Sequence, residues 1–186
     1  MAYRQSEPGS LQEHRTSWAV DYDEIRELVE RTITDQVLQI RHVGSTAVAD
    51  LLAKPVIDID LIIPAVAVEA VYMPRLEAIG FRLIFRDDMA GDPHRQLTFS
   101  RPNINLHVWS PNAVEPLRHE LFARWLRSSS DDRRLYAAAK QAAARTEGAQ
   151  RYNDIKSATV YEIYERAFTG DPAHEHDPQP RPGGSR

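Results

Sequence analysis

Cysteine is absent from the 186 residues, which excludes disulfides, thiolate metal sites and thiol nucleophiles and fits a reducing compartment. The cytoplasm is the expected location. Long apolar runs are absent too: nothing approaches the roughly 18 uncharged apolar residues needed to span a bilayer, and Met1–Ser10 is polar rather than leader-like. Neither a membrane nor secretion is expected. The third absence is a basic excess, since the formal net charge is -4 and a protein that coats nucleic acid carries the opposite balance. Extended nucleic acid is therefore not an expected partner, whereas small anionic ligands remain open. Internal repeats are missing as well.

What is present describes a globular chain, with 42% hydrophobic and 27% charged residues. The expected organisation is a mobile start over 1–10, one domain over 11–170 and a disordered tail over 171–186, where Pro, Gly and His are dense and apolar periodicity is lacking. Tyr22, Ile25, Leu28, Val29 and Ile33 repeat at helical spacing, so Asp21–Asp35 reads as a helix. Val37–Val43 reads as a short strand ending at the turn Gly44-Ser45-Thr46. The β-branched run Val56–Ile63, bounded by Pro55 and Pro64, reads as a central strand.

Val66–Ile79 has helical spacing, with Pro74 either kinking the helix or dividing it. Phe81–Arg86 and Arg95–Arg101 read as strands joined by a loop over Asp87–His94. Asn103–Trp109 is another strand, with Asn103, Asn105, His107 and Trp109 on one face. Three helices follow, Val114–Arg127, Asp131–Glu147 and Asp154–Phe168. The expected fold class is α/β (α+β): a mixed β-sheet of about five strands with flanking helices and a C-terminal helical cluster.

Asp58 and Asp60 stand two apart on the central strand, so both project from one face, roughly 7 Å apart along the chain. Two carboxylates this close in an apolar strand repel each other unless something positive lies between them. A metal does that, and an all-oxygen pair favours Mg²⁺ or Mn²⁺. The alternatives are a solvated strand end, or a salt bridge from Lys54. Upstream, Gly44 permits close backbone approach and Ser45 and Thr46 add hydroxyls, a combination that suits phosphate oxygens or simply makes a turn.

Gly44-Ser45, twelve residues, then Asp58-Ile59-Asp60 resembles the signature of the nucleotidyltransferase superfamily, in which a Gly-Ser turn holds phosphates and an Asp-x-Asp strand holds divalent metal. The segments Arg41–Val48 and Leu51–Asp60, Leu106-His107-Val108, Arg118-His119 with Phe122, Leu126 and Arg127, and Tyr152, Asp154, Lys156 and Ser157 together resemble the GrpB family. This resemblance runs from about Asp21 to Phe168 and implies a nucleotidyltransferase-like fold. Asp50 departs from the pattern, standing where many members carry glycine.

The resemblance implies a metal-dependent transferase moving a nucleoside monophosphate from an NTP, ATP being the expected one, to a small-molecule acceptor. Asp58 and Asp60 would hold the metal, and His42, Gly44, Ser45, Thr46, Lys54, Arg118, Tyr152 and Lys156 would bind the nucleotide. The family sometimes occurs fused to dephospho-coenzyme A kinase, so a nucleotide- or coenzyme A-binding module without transferase activity is the alternative, as is another ATP-dependent phosphoryl transfer or ligation. The superfamily's third metal carboxylate has no counterpart on the later strand, which offers His107 instead. An imidazole suits Mg²⁺ poorly, so His107 reads as a general base, a substrate-binding group, a ligand to a softer metal or a structural histidine. His42 either contacts phosphate or packs at the strand end.

Overall fold

The computed structural model describes residues 10–89, 92–145 and 149–171; the expectations for 1–9 and for the tail beyond Asp171 lie outside the described residues. The chain divides into two compact units, Met1–His119 and Glu120–Arg186.

In the first unit, helix α1 covers Ser17–Thr32 and strands β1 to β5 cover Gln39–Val43, Ile57–Ile62, Arg82–Met89, Asp92–Phe99 and Ile104–Trp109. They form one sheet in the order β1-β2-β5-β4-β3, with β2 and β5 parallel and the other pairs antiparallel. This is the mixed five-stranded sheet expected from the sequence. Strand alternation sends Ile57, Ile59 and Leu61 of β2 and Ile104, Leu106 and Val108 of β5 into a core with Ile25 and Val29 of α1. The opposite face of the same strands carries Asp58, Asp60, Asn105 and His107, and is therefore polar.

Two expectations are corrected. The helix over Val66–Ile79 is a single 3₁₀ turn at Glu69–Val71 and a six-residue α2, Met73–Ala78. Pro74 sits in the first turn of α2, where a missing N–H costs nothing, so it divides the segment rather than kinking it. The loop over Asp87–His94 is mostly strand, because β3 and β4 continue pairing through Asp87↔His94, Asp88↔Pro93 and Met89↔Asp92. Its Asp and Pro residues read as loop chemistry. Yet β4 pairs with β5 only from Arg95 onward, so Pro93 lies where one side of the strand is an edge and no donor is required.

Helix α3, Val114–Ser128, starts in the first unit and ends in the second, which also holds α4, Ser130–Ala144, and α5, Ala149–Gly170. Ser129 caps α4 by accepting from the Asp132 N–H. The Asp132 carboxylate in turn accepts from Trp125 Nε1 at 2.6 Å and from Arg166 at 2.6 Å, cross-linking α3, α4 and α5. Lys140 is buried, with its ammonium 4.8 Å over the Tyr136 ring.

Candidate functional site

The antiparallel register of β1 on β2 sets Val43 opposite Asp58, so the chain leaving β1 turns directly beside that carboxylate. Gly44 makes the turn at φ 71°, ψ -166°, a region reserved for glycine. A Cβ there would stand 2.5 Å from Asp58 Oδ2, and so the backbone abuts the carboxylate in a way no other residue permits. Asp50 takes φ 60° where the family pattern expects glycine; aspartate is among the few residues that adopt this conformation readily.

Ser45 and Thr46 have different surroundings. Thr46 is buried, its hydroxyl donating to the Val56 carbonyl at 3.3 Å and lying 2.9 Å from His42 Nε2. With the hydroxyl hydrogen given to Val56, Thr46 accepts from His42. The His42 ring also stacks on Tyr22 at 4.8 Å between centroids. His42 and Thr46 thus brace the turn from within, and Ser45 is the partly exposed hydroxyl of the pair.

Asp58 and Asp60 share a face but not an environment. Asp58 is partly exposed and its Oδ1 accepts from Asn105 Nδ2 at 2.7 Å. Asp60 has no exposure: Trp109 Nε1 donates to its Oδ1 at 2.8 Å and His119 Nδ1 lies 2.8 Å from its Oδ2. Burial opposes the ionisation of Asp60, but the charge and hydrogen bond of His119, aided by His107 and Trp109, hold its carboxyl below the usual range. Burial likewise opposes the protonation of His119, and the Asp60 carboxylate overcomes it, holding the imidazole above its ordinary 6.5. Asp60 therefore already has a cationic partner in His119.

This coupling has a sign. The raised His119 contributes stability that is fully present below its unfolded value of 6.5 and lost as pH rises through the folded pKa. The lowered Asp60 contributes stability present above its unfolded 3.8 and lost as pH falls through the folded pKa. His119→Gln, which keeps an N–H but not the charge, should cost about 1–2 kcal/mol where both groups are charged. Urea unfolding across pH should show the gap from wild type widest between 3.8 and 6.5 and shrinking in alkali. A gap independent of pH would mean that the pair carries no charge.

A second set of side chains lies on the same sheet face. His107 is opposite Asp60 in register. His94 Nε2 lies 3.1 Å from His107 Nδ1, and His94 Nδ1 lies 2.6 Å from Asp87 Oδ1. The His94 ring stacks on Trp109 at 4.0 Å and is 2% exposed. Asp87, His94, Trp109, His119 and Asn105 were not among the site residues expected from the sequence. Asn105 and Trp109 were legible from the alternation of β5; Asp87 and His94 were hidden in the segment read as a loop.

The other expected residues are more scattered. Lys54 precedes β2 and is partly exposed. Arg118 is buried and paired with Glu115 at 2.5 Å within α3. Lys156 belongs to α5 in the second unit and is partly exposed, while the side chain of Tyr152 lies outside the described residues. As a divalent-metal site the donor set fits in part. Asp58 offers a carboxylate beside the glycine turn, while each oxygen of Asp60 already accepts an N–H and keeps one lone pair for a cation, which would then lie beside the His119 charge. No helix among the described residues is long and apolar enough to cross a membrane.

Similar proteins are found by sequence and by fold. UPF0157 protein BH1888 of Halalkalibacterium halodurans is 38% identical over 160 residues, covering 85% of this chain and 82% of that protein. UPF0157 protein SCO7215 of Streptomyces coelicolor is 30% identical, with coverages of 84% and 83%. The crystal structure of conserved protein GrpB from Enterococcus faecalis superposes with a TM-score of 0.76 at 23% identity, over 87% of this chain and 98% of that one. A chain of the GLD-2/RNP-8 complex gives 0.59 at 16% identity, covering 89% of this chain and 70% of that chain. The Cid1 poly(U) polymerase gives 0.55 at 14%, covering 78% and 49%. The likeness to these polymerases establishes a nucleotidyltransferase fold and no more. The model of the family described as GrpB protein matches residues 8–166, and the chain belongs to the GrpB family.

Proposed function

We propose that this protein is a nucleotidyltransferase that moves a nucleoside monophosphate from an NTP, ATP being the expected one, to a small-molecule acceptor. The observation that carries the reading is the contact between the Gly44 turn and Asp58, where a single added Cβ would strike the carboxylate at 2.5 Å. Phosphate oxygens and a cation must share one small volume in such a reaction, and this packing sets a glycine turn beside an anionic oxygen, which supports the reading. The turn's backbone N–H groups and the Ser45 hydroxyl receive phosphate oxygens. Lys54 contributes a point charge to the phosphates.

Mg²⁺ or Mn²⁺, when bound, would be held by Asp58 and by the remaining lone pairs of Asp60, and would neutralise the triphosphate. The Cid1 polymerase structure carries Mg and 3′-dATP on the same fold, which supports the choice of ligand class. The net charge of -4 favours a small acceptor over extended nucleic acid.

A second reading, a nucleotide- or coenzyme A-binding module without transfer, is favoured by two observations. Both oxygens of Asp60 are engaged, and the site face of β5 presents Asn105, His107 and Trp109 with no carboxylate. Calorimetry with a panel of NTPs and coenzyme A, with and without Mg²⁺ or Mn²⁺, separates the two. The transferase reading expects NTP binding that strengthens with metal and loses that gain in Asp58→Asn. Binding indifferent to both metal and substitution supports the module, and no binding of any nucleotide would overturn both readings.

A further inference from the structure

The polar sheet face holds a hydrogen-bonded row that the phosphate and metal readings do not use: Asp87 on β3, His94 on β4 and His107 on β5. Its protonation pattern follows from the donor inventory. An ionised Asp87 only accepts, so the 2.6 Å contact requires a proton on His94 Nδ1. His94 is 2% exposed and stacked on Trp109, and burial depresses its pKa more than Asp87 raises it, leaving the ring neutral. A neutral ring with its proton on Nδ1 has a bare Nε2, which can only accept. The 3.1 Å contact to His107 therefore requires the proton of His107 to sit on Nδ1. An imidazole directs its two nitrogens to nearly opposite sides, so the basic Nε2 of His107 faces away from His94.

We propose that Asp87 and His94 are positioning residues that lock His107 in the Nδ1–H tautomer, making its Nε2 the general base for the incoming acceptor. The base role rests on the transferase reading above; the tautomer does not. In the step itself, the acceptor oxygen or nitrogen forms a bond to the α-phosphorus as the bond to the bridging oxygen breaks. Pyrophosphate leaves with that electron pair, and the acceptor's proton passes to His107 Nε2. The resulting imidazolium keeps its Nδ1–H donated to His94, so the row needs no rearrangement during the transfer. His107 stands opposite Asp60 on the parallel neighbour of β2, on the same face as Asp58. This explains how a strand without a third carboxylate still serves the reaction.

The test is long-range ¹H–¹⁵N correlation spectroscopy of the imidazoles in the full chain, at mildly alkaline pH. In the wild type, both His94 and His107 should show a protonated Nδ1 and a strongly deshielded, unprotonated Nε2. Asp87→Ala removes the anchor at a partly solvated position, 48% exposed, on the edge strand, where the fold tolerates it. His107 should then shift toward the Nε2–H form that an unconstrained imidazole prefers. Asp87→Asn keeps an acceptor oxygen and should restore the wild-type pattern. A His107 that carries its proton on Nε2 in the wild type, or that ignores Asp87→Ala, overturns the proposal.

The base role has its own readout. Asp87→Ala should lower kcat for transfer roughly tenfold with KM for the NTP unchanged, short of the ~10²–10⁴ that a general base contributes. A changed tautomer with unchanged kcat removes the base role alone. The locked tautomer in a protein that turns over no nucleotide overturns the transferase reading and the base role together, leaving the row as a structural device.

Discussion

Asp60→Asn should destabilise the metal-free protein by about 3 kcal/mol or more, whereas Asp58→Asn should change its stability by less than about 1 kcal/mol. The two residues are chemically identical neighbours on one face, and their environments alone separate them. Asp60 has no exposure and accepts two N–H groups, from Trp109 and His119. An asparagine there can accept only one of them through its oxygen, and its amide presents N–H to the other donor. Removing one partner of a buried ion pair also leaves the second charge without compensation. Asp58 is partly solvated and accepts from Asn105 at 2.7 Å, a bond that an asparagine oxygen preserves.

Urea unfolding of the three proteins without metal decides the matter. Equal losses in both variants would mean that the Asp60–His119 pair contributes nothing special. The same variants address the metal: if Asp58 is the principal ligand, Asp58→Asn should abolish the thermal shift that Mg²⁺ plus nucleotide confers while leaving the apo melt in place.

Gly44→Ala should cost about 3 kcal/mol or more and should weaken phosphate binding out of proportion to that loss. At φ 71°, ψ -166° an alanine pays roughly 1–3 kcal/mol of backbone strain before any contact is counted. Its Cβ would then meet Asp58 Oδ2 at 2.5 Å and Asp58 Cβ at 3.1 Å, so the turn must move off the carboxylate. The double variant Gly44→Ala, Asp58→Ala isolates the two terms, because truncating Asp58 relieves the overlap and leaves the strain. Thermal melts should therefore show partial rescue. Full rescue would mean that the backbone at position 44 is unstrained, and none would mean that the overlap is not the problem.

Local signals carried much of this protein. The period of two placed both aspartates on one face of Val56–Ile63, and Asn105, His107 and Trp109 on one face of Asn103–Trp109, because strand alternation needs no partner to be read; the register of β2 on β5 made the two faces one. The glycine turn and the family resemblance were equally local, being runs of adjacent residues. Misreadings came where composition and partnership disagree. Asp87, Asp88 and Pro93 look like a loop, yet they pair across a hairpin that extends past β5, and the Asp87–His94 bond satisfies polar groups that the composition left open.

What the sequence alone determined was a mixed sheet with helices, a glycine turn, and two carboxylates on one strand face. Only the tertiary structure decided that those carboxylates are unlike. His119 lies 59 positions from Asp60 and Trp109 lies 49, and no spacing rule links a strand residue to partners that far along the chain. The same holds for the Asp87–His94–His107 row, which crosses three strands. Hydrophobic period is written in neighbouring residues because each element buries its own face. The proton partners of a polar site are written in the packing, since a hydrogen bond reaches about 3 Å in space and takes no account of separation along the chain.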